Sequence, residues 1–170
     1  MRKDEDFAKI ICDSIYNCDF KLCDKPDLQN SELSISIEVT SAFNSCYMEY
    51  KNSNNISKRT KEAIRKSEVA NVNKTSPAIT SGQAMIDLEK IYLKKLDKYN
   101  TYTAFDKMIL FIFTSPFSLF DYSLKYILTM LNENKKCYNE VILYSDISKY
   151  CKIFKLKDDS YSLVESISFD

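Results

Sequence analysis

Apolar and polar residues alternate most cleanly between Leu33 and Thr40. Leu33, Ile35, Ile37 and Val39 interleave with Ser34, Ser36, Glu38 and Thr40. That period of two predicts a strand. Upstream, Phe7, Ile10, Ile11 and Ile15 recur at helical spacing, which predicts a helix from Asp4 to about Tyr16 with acidic residues in its first turn. "FKLC" at Phe20–Cys23 reads as a short strand broken by Pro26, and Asp27 starts the next extended piece. Asn30-Ser31 is a turn signal before the clear strand.

The rhythm is lost from Asn44 to Ser81, where Asn, Ser, Lys and Thr dominate. This stretch reads as a polar, basic excursion from the core at about 44–81, with one helix inside it around "SKRTKEAIRKSEVA". The helical period returns near Thr80, where Thr80 and Gln83 have capping-box spacing, and runs to about Tyr99. "KMILFIF" from Lys107 is a buried strand. Ser115-Pro116 opens a third helix, with Phe120, Leu124, Ile127, Leu128 and Leu131 as its stripe. "EVILY" from Glu140 is a strand, and "YCKIFKL" with "SYSLVES" form a closing hairpin around Asp158-Asp159. The order is helix, three strands, helix, strand, helix, strand, hairpin. It predicts a mixed α/β (α+β) domain with helices covering a central sheet. At 170 residues the chain is read as a single domain.

Composition narrows the chemistry. There is no histidine, which removes Ser-His and Cys-His nucleophile pairs and zinc sites with His ligands. The one glycine, Gly82, cannot build a Gly-rich phosphate loop. Net charge is zero, so any pull toward nucleic acid must be local. The six cysteines show no C-x-x-C spacing and read as small buried hydrophobes with reduced thiols. The N-terminus lacks a signal-peptide pattern and "MILFIF" is too short to span a bilayer. Both point to a cytoplasmic protein with no membrane partner.

Glu38 is a carboxylate in the middle of an apolar strand, on the face that also carries Ser34, Ser36 and Thr40. A solvated face explains it. So does a second carboxylate: Asp27, at the start of the neighbouring strand, can converge with Glu38 as a pair of hard oxygen ligands for a magnesium ion. On the helix ending near Tyr99, Ala84, Leu88, Ile91, Tyr92, Leu96 and Tyr99 form one stripe, and Lys95 lies inside it. A lysine there either snorkels to solvent from the stripe's edge or meets a negative partner, with Glu38 and Asp27 the candidates. Lys94 is the alternative on the same helix.

"KPD" at Lys25–Asp27 followed by "IEVT" at Ile37–Thr40 resembles the PD-(D/E)XK nuclease superfamily. The coarse element order is similar to that family's restriction-endonuclease-like core, and "PDLQ…SISIEVTSAF" looks like uncharacterised bacterial and phage proteins with a P-D…I-E-V-T pattern. The convincing part covers about the first 45 residues. The resemblance implies a Mg²⁺- or Mn²⁺-dependent nuclease acting on DNA more than RNA, in phage–host defence or DNA processing. It implies Asp27, Glu38 and the Val39 carbonyl as metal ligands, with Lys95 orienting the attacking water. One departure stands out: the family pattern has lysine two residues after the acidic residue, and here that residue is Thr40. Family members exist in which the lysine has moved to the following helix, which is where Lys95 lies.

Gln83 and Glu5 occupy places where related nucleases carry active-site groups, though capping and helix-dipole complementarity explain them as well. Lys58, Arg59, Lys61, Arg65, Lys66 and Lys74 outnumber the acids of the excursion and are candidates for nucleic-acid contact; a solvated charged face is the alternative. Thr40 also keeps a second function open, a non-enzymatic interaction or inhibitor protein with a decayed nuclease-like site and a protein partner. A thiol-based sensor is a third. Oligomeric state, homodimer or otherwise, is left open by the sequence.

Overall fold

A computed structural model describes residues 3–42 and 81–169. The basic residues of the excursion, Lys58 to Lys74, and the Thr80 half of the capping box lie outside the described residues, as does the Gln83 side chain. The described elements are α1 (Lys3–Tyr16), β1 (Lys21–Leu22), β2 (Leu28–Asn30), β3 (Ile35–Ala42), α2 (Ser81–Lys98), β4 (Lys107–Thr114), α3 (Leu124–Glu133), β5 (Glu140–Ser145), β6 (Tyr150–Lys157) and β7 (Ser160–Ser168). The fold is mixed α+β.

All these strands join one seven-stranded sheet in chain order, β1 to β7. β3–β4 and β4–β5 pair in parallel and every other neighbour pair is antiparallel. Parallel neighbours need crossover connections of one hand, which places the crossover helices on one face of the sheet. α2 and α3 accordingly pack on the same side, over Met108, Leu110, Ile112, Val141 and Leu143. α1 covers the opposite face, over Ile37, Val39, Ile109, Phe111 and Ile142. β4 lies at the centre, and seven of its residues, Met108 to Thr114, are buried, as expected of a strand covered on both sides.

Three sequence expectations shift. The buried stripe of α1 is Ala8, Ile11 and Cys12, while Phe7 and Ile10 are exposed. The small residues let the helix approach the sheet closely, and the Phe7 ring lies at its flank against Phe113 and Tyr144. Ser115 does cap the Phe117 N–H with proline following, but the turn it opens is 3-10 (Pro116–Leu119). A second 3-10 turn follows, and α3 begins only at Leu124. The Ser123 hydroxyl donates to the Phe117 carbonyl at 2.7 Å, a side-chain bond that competes with continued helix. Phe120 is left exposed rather than in the stripe. Third, the polar face of β3 is not solvated. Ser36 is fully buried and gives its hydroxyl to the Met108 sulfur, and Glu38 is only 6% exposed, because α2 lies across that face.

Candidate functional site

The β1–β2 hairpin is closed by the Cys23 N–H donating to the Asp27 carbonyl at 2.8 Å. β2 pairs with β3 only as far as Leu28 opposite Ile37. The next β3 donor on that side is the Val39 N–H, and Asp27 takes it with its carboxylate, Oδ2 at 2.8 Å. A side chain thus extends the ladder by one bond and anchors Asp27 beside Glu38. In a strand the N–H and C=O of one residue point the same way, so the Val39 carbonyl shares this side.

Glu38 projects from the other direction, toward α2. The Lys95 ammonium lies 2.5 Å from its Oε1, with the lysine side chain only 15% exposed. The Tyr102 hydroxyl donates to the same oxygen at 2.9 Å. Tyr102 follows the 3-10 turn Tyr99–Thr101 that ends α2, and its backbone N–H returns to the Tyr99 carbonyl at 3.2 Å. Lys95 therefore does not snorkel away, because the buried carboxylate meets it.

These groups line a cavity of about 800 Å³ at the β1–β2 side of the sheet. Glu5, Asp24, Asp27 and Glu38 supply negative charge, and Lys25, Lys95 and Lys98 supply positive charge. Thr101, Tyr102 and Cys23 complete the wall. Cys23 is exposed, unlike buried Cys12 and Cys151, so the expectation of uniformly buried thiols fails at this cavity. Burial raises the Asp27 carboxyl to about 6, helped by the charges of Glu38 and Glu5 and opposed by the Val39 N–H and Lys95. Burial, and then the bond to Glu38, raises the Tyr102 hydroxyl, which keeps it a donor. Thr40 lies half-buried on the same strand face as Glu38 and brings no charge.

A second buried carboxylate offers a contrast. Glu140 binds Lys107 and Lys155 through Oε1 and the Tyr16 hydroxyl through Oε2. Both of its oxygens are occupied by protein groups, which suits a structural ion pair. At Glu38 both donors from the described residues fall on one oxygen.

The donor set fits a hard cation. Two carboxylates and a backbone carbonyl are oxygen ligands of the kind Mg²⁺ uses, with water and substrate completing the shell. Among the described residues there is no group of three or more His, Cys, Asp or Glu arranged to hold a metal. Asp27, half-buried, and Glu38, buried, are two carboxylates of the cavity wall that could contribute to such a shell.

Sequence reasoning placed Asp27, Glu38, Val39 and Lys95; the structure brings Asp27, Glu38 and Lys95 to one cavity, while Val39 meets Asp27 through its N–H and is not among the lining residues. Lys94 is not among the residues lining the cavity. Glu5 reaches the cavity wall. Tyr102, Lys98, Thr101 and Lys25 were missed as lining groups; Lys25 had a signal in its place beside the Pro-Asp pair, while nothing in "YNTYTAF" marks Tyr102. Among the described residues no helix is long and apolar enough to cross a membrane. No family model, curated protein or solved structure matches the chain.

Proposed function

We propose that the chain is a metal-dependent nuclease that hydrolyses phosphodiester bonds of DNA, with Asp27, Glu38 and the Val39 carbonyl as ligands for Mg²⁺ or Mn²⁺. The observation that carries the reading is the convergence of Asp27, Glu38 and a half-buried lysine from another element in one cavity. The cation, when bound, supplies Lewis acidity toward the phosphodiester and a bound water of lowered pKa. Lys95 stands in for the cation that Thr40 does not provide. Its ammonium, already paired with Glu38, orients the attacking water and offsets charge on the phosphate. Lys25 and Lys98 draw phosphate toward the cavity, and Lys58, Arg59, Lys61, Arg65 and Lys66 add positive charge for nucleic acid elsewhere in the sequence. A restriction-endonuclease-like core agrees with the order helix, three-strand meander, helix, strand.

The test is cleavage of duplex DNA, single-stranded DNA and RNA with Mg²⁺ and with Mn²⁺. Activity is expected on DNA, reduced about 10²–10³-fold in Glu38→Gln and in Lys95→Met. Blank lanes on every substrate with both ions contradict the reading.

One observation favours a second reading. The Lys95–Glu38 ion pair is complete without a metal, as in a decayed site kept by an interaction or inhibitor protein. That reading requires divalent ions to leave the melting temperature unchanged. A metal-induced rise that vanishes in Asp27→Asn excludes it.

A further inference from the structure

We infer that Tyr102 is a positioning residue for Glu38, fixing the rotation of a carboxylate that would hold the cation; the inference rests on the metal-dependent reading above. A glutamate carboxylate rotates almost freely about its last torsion. At Glu38 that rotation is held by two donors that reach one oxygen, Oε1, from different places: Lys95 on α2 at 2.5 Å and Tyr102 beyond the helix end at 2.9 Å.

The two donors are not equivalent. Lys95 is a point charge on a flexible four-carbon stem. In the proposed reaction it must also serve water and phosphate, so its bond to Glu38 is exchanged during turnover. Tyr102 is a rigid ring, half-buried against the hydrophobic side of the sheet that α2 covers. Its hydroxyl has one direction to point, and that direction is Oε1. It holds the carboxylate plane when the lysine leaves, so that Glu38 keeps one orientation in the cavity it lines. Partners that orient a ligand in this way are worth about 10–100-fold in metal affinity or activity.

The experiment is calorimetric Mn²⁺ titration and DNA cleavage kinetics on wild type, Tyr102→Phe and Tyr99→Phe, with thermal melts in metal-free buffer. Phenylalanine keeps the ring in its packing and removes only the hydroxyl. Tyr99 packs edge-to-face against Tyr138, so its variant controls for loosening of the helix end. The expected result is Mn²⁺ affinity about 10-fold weaker in Tyr102→Phe, with kcat lowered and KM for DNA little changed. Tyr99→Phe binds as wild type does. Wild-type affinity in Tyr102→Phe, with or without a lower melting temperature, overturns the positioning role and leaves the nuclease reading standing. Absence of Mn²⁺ binding in wild type overturns both.

Discussion

Asp27 is held where it weakens the fold. Its carboxyl is raised to about 6, from about 3.9 in an unfolded chain. The folded state therefore holds the proton more tightly than the unfolded chain does. Asp27 penalises folding progressively as pH rises from about 4 through about 6, and fully above that range. The full linkage would be about 3 kcal/mol, and the group's partial exposure reduces it to roughly 1–2 kcal/mol. Asparagine keeps an acceptor for the Val39 N–H and removes the charge. Asp27→Asn is thus expected to melt higher than wild type at neutral pH in metal-free buffer, with the difference fading toward about pH 4. Thermal melts at the two pH values check this; a variant that melts lower at neutral pH contradicts it. Residue by residue, the site was legible where a side chain broke its local pattern. Glu38 interrupts an apolar strand and Lys95 interrupts an apolar helix stripe, and each anomaly pointed to the other. Tyr102 breaks no pattern, because a tyrosine in a connection is ordinary and only the path of the chain after α2 turns it inward.

The order of elements could be read from hydrophobic period, because most of the residues each period selects are buried, even where single members such as Phe7 and Phe120 are not. What the period could not supply was the detail that depends on neighbours. The stripe of α1 is rotated toward its small residues by the need to approach the sheet, and α3 is delayed by serine hydroxyls that bond locally. The edge strand β7 shows another such device. Tyr161 pairs its backbone N–H and C=O with the Asn132 side chain of α3, at 2.7 and 3.1 Å, as a neighbouring strand would. One end of that edge is thereby covered. Asn132→Ala leaves both groups without that partner and is expected to lower stability by about 1–2 kcal/mol, seen as an earlier denaturant midpoint. An unchanged midpoint would show that water replaces the amide at no cost.

Across the whole molecule, the parallel strands β3, β4 and β5 form a slab covered by α1 on one face and by α2 and α3 on the other. The cavity opens where the short β2 stops pairing and β3 continues. That gap lets one side chain from the hairpin and one from the overlying helix reach the same strand. A sequence shows which strand carries a carboxylate; it does not show that the neighbouring strand ends one residue short of it, which is why the site's residues were readable and its geometry was not. With net charge zero, the molecule as a whole has no net electrostatic pull toward nucleic acid, and any such attraction is local. The central claim is that Asp27 and Glu38 form a cation site. Calorimetric titration of wild type with Mn²⁺ and Mg²⁺, beside Glu38→Ala, tests it most directly. Saturable binding that Glu38→Ala abolishes is the predicted result, and wild type that takes up neither ion would contradict it.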